Sequence, residues 1–123
     1  GRVLLVGVPR GGAARLGRAL ARAGYQPVPV ADGAEALVQL RRGRFVAVLL
    51  ADMLPGIPGE ALLPGLRVAW PELPVIFLRR PGARLEAEPF TNGAHACLVA
   101  PVRAHDLLRV LEEAMRGALE VRG

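Results

Sequence analysis

The chain contains no lysine and no serine, a single threonine (Thr91) and a single cysteine (Cys97). Each gap removes a class of chemistry. Without serine or lysine there is no serine nucleophile, no catalytic lysine or Schiff base, and no phosphate loop closed by a Lys-Ser or Lys-Thr pair. One cysteine cannot close an internal disulfide. No apolar run reaches the roughly 18 residues that predict a membrane-spanning helix, and the N-terminal segment lacks a signal-peptide pattern. A soluble, cytoplasmic protein without membrane contact is expected. There are two histidines (His95, His105) and three aspartates (Asp32, Asp52, Asp106).

All basic charge sits on 16 arginines against 11 acids, a net +5. Apolar residues make up 52% of the 123 and charged residues 22%, which supports a core and argues against disorder. The length suits one domain, residues 1–123. Since the chain opens on Gly1 rather than methionine, it reads as a piece cut from a longer protein.

Short apolar runs alternate with segments of helical period. Val3–Val6, Pro27–Val30, Phe45–Ala51, Pro74–Leu78 and Ala96–Val99 read as parallel strands buried on both faces. In the first helix Ala13, Leu16, Leu20 and Ala23 share a face opposite Arg15, Arg18 and Arg22, and Gly24 ends it. The second opens on Asp32-Gly-Ala-Glu35, a capping-box spacing. The last, from about His105, buries Leu107, Leu111, Ala114 and Ala118. Pro64-Gly65 and Pro89 fall inside the third and fourth helical segments, which should therefore be short, kinked or irregular. Strict alternation predicts an α/β fold of five βα units. The sheet is parallel, five-stranded and doubly wound in the flavodoxin-like order 2-1-3-4-5, with ligands expected at the carboxyl ends of the strands.

Four segments carry a resemblance: Ala31-Asp-Gly-Ala-Glu-Ala-Leu37, Val48-Leu-Leu-Ala-Asp-Met-Leu-Pro-Gly56, Trp70-Pro-Glu-Leu-Pro-Val-Ile76 and Gly93-Ala-His-Ala-Cys-Leu-Val-Ala-Pro101. Together they resemble the receiver domain of two-component response regulators, over nearly the whole chain. That resemblance implies signal transduction by phosphoryl transfer from a histidine kinase to an aspartate after the third strand. An acidic pair after the first strand helps to hold Mg²⁺. A Thr or Ser after the fourth strand and a Lys after the fifth neutralise the phosphoryl oxygens, and an aromatic on the fifth strand reports the change.

Matched position by position, none of these groups is present. The acidic pair falls on Gly7 and Val8, the phosphoacceptor on Ala51, the hydroxyl on Arg79, the aromatic on Cys97 and the lysine on Ala100, with Pro101 following. The resemblance therefore implies a degenerate pseudo-receiver with no Mg²⁺, no cofactor and no enzymatic activity. Asp52 lies one residue beyond the acceptor position, and one step along a strand turns a side chain to the other face. It is either a polar residue at a strand end or, through a local bulge, a residual acceptor. Arg79, with Arg80, Arg10 and Arg84, makes the mouth of the site basic. Arg79 is read as a solvated side chain, as a plug paired with Asp52 or backbone carbonyls, or as an anion-binding fork.

The class-level alternative is an anion- or nucleotide-binding regulatory module built on Gly7-Val-Pro-Arg-Gly-Gly12 and the Arg79 region. Against it, Ala13 occupies the third glycine position of a dinucleotide fingerprint, and Asp32 has a simpler role as a helix cap. His95 and Cys97 share a strand face but are too few for zinc. The stripe Arg15, Arg18, Arg22, with Arg41, Arg42 and Arg44, reads as a solvated basic face. Nucleic acid is not the expected partner, because Tyr25, Phe45, Trp70, Phe77 and Phe90 form no stacking platform. The expected function is protein–protein interaction, as a dimer or with a partner. The surface expected is that of the fourth helix, fifth strand and fifth helix, roughly Arg84–Asn92, Ala96–Val99 and Arg103–Glu120.

Overall fold

The computed structural model describes residues 1–83 and 94–122, with side chains as far as residue 117. The expected positions Arg84, Pro89, Thr91, Asn92 and Gly93, and with them the fourth helical segment, lie outside the described residues. The elements are β1 (Arg2–Val6), α1 (Arg10–Arg22), β2 (Gln26–Val30), α2 (Gly33–Arg42), β3 (Ala47–Ala51), β4 (Met53–Leu54), β5 (Ile57–Pro58), a 3-10 turn (Gly59–Leu62), α3 (Leu63–Ala69), β6 (Val75–Arg79), β7 (Ala96–Val99) and α4 (Ala104–Arg122). The main sheet runs β2-β1-β3-β6-β7, all parallel, which is the expected 2-1-3-4-5 order with the two-residue strands β4 and β5 set apart as a hairpin.

Alternation along the central strands builds two cores. Leu4, Val6, Val48, Leu50, Val75 and Phe77 face Ala36 and Leu40 of α2 and Leu63 and Leu66 of α3. Val3, Leu5, Ala47, Leu49, Ile76 and Leu78 face Leu16 and Leu20 of α1 and Leu107 and Leu111 of α4. The expectation of strands buried on both faces holds for β1, β3 and most of β6. It fails at the edges, because β2 and β7 have a neighbour on one side only and remain half-buried or exposed.

The sequence of β2, Gln-Pro-Val-Pro-Val, follows from its edge position. Gln26 N–H donates to Gly1 and the Val30 carbonyl accepts from Gly7, so even-numbered residues bond β1. Pro27 and Pro29 fall on the alternate positions, where their missing N–H groups would have faced outward. A further strand finds no donors there.

Two expectations shift in detail. Arg10, Gly11 and Gly12 are the first turn of α1, whose opening bond runs from Ala13 N–H to the Pro9 carbonyl at 2.8 Å. The connection after β1 is thus Gly7-Val8-Pro9, shorter than the expected Gly7–Gly12 loop. Pro64, expected to interrupt a helix, sits in the first turn of α3, where its lack of an N–H costs nothing. The expected shortness is observed: α3 has seven residues. Asp32 caps α2, accepting from Glu35 N–H at 2.8 Å, while the Glu35 carboxylate reaches back to Ala31 N–H at 2.9 Å.

Candidate functional site

At the carboxyl ends of the strands the structure brings together Gly7 and Val8 after β1, Ala51 ending β3, Arg79 ending β6 and Ala100 after β7. Cys97 lies within β7, opposite Phe77 of β6 and packed on the α2–α3 side of the sheet. Ala100 joins Pro101 through a cis peptide, and Arg15 of α1 donates to the Val102 carbonyl at 2.5 Å.

The space where β1 and β3 meet is filled with hydrocarbon. Gly7 has a φ of 70°, a left-handed conformation that glycine adopts without strain. A methyl group built on it would collide with the Leu54 side chain and lie 3.6 Å from Ala51 Cβ. Leu54, 4% exposed, is carried there by the β4–β5 hairpin. The hairpin folds back closely because of Gly59. Its N–H donates to the Asp52 carbonyl at 2.8 Å, and any Cβ there would overlap the Ala51 carbonyl oxygen. Pro55-Gly56 forms the turn, with Gly56 at φ 82°.

This arrangement does not fit Mg²⁺, which demands several oxygen ligands in near-octahedral geometry. Glycine, valine, alanine and leucine line the position. Among the described residues no group of three or more His, Cys, Asp or Glu side chains stands close enough to hold a metal ion.

Asp52 is the carboxylate nearest in sequence to the acceptor position. Val48 N–H donates to the Pro74 carbonyl and Asp52 N–H to the Leu78 carbonyl, each at 2.9 Å, so the ladder advances four residues on both strands without a bulge. Asp52 therefore keeps the alternate face from Ala51. Its side chain is 5% exposed and engaged: Oδ2 accepts from the Arg80 backbone N–H at 3.0 Å and from Arg80 Nε at 3.3 Å. The Asp52 pairing that the plug reading offered Arg79 belongs to Arg80. Arg79 turns its guanidinium back onto its own loop, donating from Nη2 to the Ala83 carbonyl at 2.8 Å. Arg10 is exposed at the start of α1. Among the described residues, Arg79 and Arg80 of the basic mouth thus have separate partners, and Arg10 is exposed.

Three features went unread in the sequence. Leu54 looked like part of a turn motif, and nothing in linear spacing shows that it fills the site. Glu60, in the 3-10 turn, is buried at 5% exposure, an unusual place for a carboxylate. His95 links three elements: its Nδ1 faces the Val75 N–H at 3.2 Å and its Nε2 the Arg67 guanidinium at 3.1 Å. Burial first, and the Arg67 charge second, push the His95 pKa below the usual histidine value.

With this geometry established, comparison with known proteins shows that the fold is the CheY-like receiver fold. The chain is 34% identical over 119 residues to the response regulator protein FleR of Pseudomonas aeruginosa, covering 96% of this chain. It spans only 25% of FleR's length. Among solved structures, a putative response regulator from Chloroflexus aurantiacus superposes with a TM-score of 0.84 at 28% identity, covering 94% of this chain and 97% of that one. NtrX from Brucella abortus gives 0.89 at 25% identity over 98% of this chain and 28% of its own. A CheY-like receiver domain protein from Methanospirillum hungatei gives 0.86 at 24% identity, covering 99% and 98% of the two chains. No protein-family model matches the sequence.

Proposed function

We propose that this chain is a pseudo-receiver: a receiver-fold signalling domain that does not accept a phosphoryl group, is not an enzyme, and acts in the cytoplasm by binding another protein or a second copy of itself. The observation that carries this reading is that Gly7 and Ala51, with the Leu54 side chain against Gly7, stand where a phosphorylatable site needs carboxylates around a metal. Phosphoryl transfer depends on neutralising the charge spread over the transferred oxygens. Here Gly7, Val8, Ala51 and Ala100 offer no charged or oxygen-bearing side chain at their matched positions, and the Arg79 guanidinium at the hydroxyl position is bonded to the Ala83 carbonyl.

The proposed contact surface comprises β7 and α4. Val99 leaves apolar area exposed at the end of β7. The outer side of α4 carries Arg109 between Asp106 and Glu113, each at 3.8 Å. What weighs against an anion or nucleotide site in the basic mouth is that Arg79 and Arg80 are already bonded to Ala83 and Asp52.

The test is incubation with acetyl phosphate and Mg²⁺, followed by intact-mass measurement, beside a phosphorylatable receiver treated alike. The mass of this chain should stay unchanged while the control gains one phosphoryl group. A phosphoryl adduct mapping to Asp52 would overturn the reading.

A further inference from the structure

At the opposite pole of the sheet from Ala51 lies an open cavity of about 610 Å³. That is within the size range of sites that hold ligands or side-chain anchors, roughly 300–1,000 Å³. Its floor is apolar: Leu40 from α2, Phe45 leading into β3, Trp70 and Leu73 between α3 and β6, and Met115 from α4. Phe45 and Trp70 are half-buried, so each keeps ring surface available to an incoming group.

The rim is cationic. Arg44 lines the cavity and is exposed. Arg41 and Arg42, also exposed, occupy the last turn of α2 between the lining residues Leu40 and Gly43, and Arg41 lines a neighbouring groove that shares Ala69 and Trp70 with the cavity. The Arg2 guanidinium lies 4.4 Å over the Phe45 ring, packed against Gly43. Glu72 is the one carboxylate among the described lining residues. No ion pair joins Arg2, Arg41, Arg42 or Arg44 to a carboxylate among the described residues. Arg41 and Arg42 favourably complement the carbonyl end of α2. Arg44 and Arg2 lie outside that helix; Arg2 is accounted for by its stacking on Phe45, and Arg44 is left without such a role.

From this juxtaposition we infer that the groove binds an acidic peptide segment carrying apolar anchor residues, presented by a partner protein. Charge complementarity selects an anionic occupant. The Phe45–Trp70–Leu73 floor selects one that buries leucine- or phenylalanine-like side chains, which a sugar–phosphate backbone does not supply. The inference stands apart from the phosphorylation reading, since it uses the other end of the molecule and none of the same residues.

Trp70 is the sole tryptophan, so native fluorescence reports from the groove itself. The intact chain is titrated with an acetylated, tryptophan-free peptide in which Glu and Asp alternate with Leu and Phe. A saturable Trp70 emission change is expected, weakening with added salt as screening grows. Two comparisons should each weaken binding by about tenfold or more: the same peptide with Leu and Phe replaced by Ala, and the Arg44→Glu variant. Arg41→Glu serves as a second exposed variant, and circular dichroism checks both for an intact fold. Any of three results would overturn the proposal: no saturable change, equal affinity for the alanine peptide or for both variants, or tighter binding of a single-stranded oligonucleotide than of the peptide.

Discussion

A methyl-sized decision at Gly7 and an isobutyl group at Leu54 govern the site more than any charge does. Leu54 is 4% exposed, whereas Met53, one residue before it on the same short strand, is 58% exposed. Truncating a buried leucine removes transfer free energy and leaves a cavity. Leu54→Ala should therefore lower unfolding stability by about 2–4 kcal/mol in a urea titration. Met53→Ala should stay within about 0.5 kcal/mol, as surface changes do. Equal effects would show that Leu54 does not fill the space beside Gly7. That Gly7, Val8, Ala51, Arg79 and Ala100 lie at the carboxyl ends of the strands was legible from the alternation of strands and helices. The Leu54 contact was not, because it depends on how tightly the hairpin folds over Gly59. The partner of Asp52 was likewise unreadable: two adjacent arginines differ only in register, and the ladder places the Arg80 N–H against the Asp52 carboxylate.

Whole elements follow local rules wherever those rules are strong. The Asp32–Glu35 spacing predicts the start of α2, and both side chains make the capping bonds expected of that spacing. Pro64 shows the limit of a composition rule, because its cost depends on where in the helix it falls. The prolines of β2 carry a further consequence. Restoring outward N–H groups by the double change Pro27→Val, Pro29→Val should turn β2 into an edge that pairs with other chains. Sedimentation velocity should then show concentration-dependent self-association through this edge that the parent lacks. If the double variant sediments as the parent does at every concentration, the prolines have no such protective role.

Stability of the whole molecule should depend on pH through His95, which joins α3, β6 and the start of β7. A neutral imidazole has one acceptor nitrogen, yet Val75 N–H and Arg67 both face the ring with donors. Protonation removes the remaining acceptor and sets a cation beside Arg67. The folded-state pKa lies below the unfolded value of 6.5, so between them the unfolded chain binds more protons. Stability is thus full above that unfolded value and falls as pH drops through it toward the folded pKa. Denaturant titrations from neutral to mildly acid pH should show this loss in the parent. His95→Gln should show a shallower slope over the same window. Equal slopes would remove His95 as the cause.

The sequence by itself determined the five-stranded parallel order and both cores. Apolar period and the alternation of runs are local, repeated along the chain, and leave few ways to bury every apolar face at once. It also determined which chemistry is missing, since an absent lysine or serine cannot be restored by folding. Only the tertiary structure decided what occupies the vacated positions. Leu54 against Gly7, Arg80 on Asp52, and the arginine-rimmed groove at the far pole each depend on approach between segments distant in sequence, and Arg79 on Ala83 depends on the course of the loop after β6. Such contacts are set by packing, a three-dimensional constraint that residue spacing does not encode.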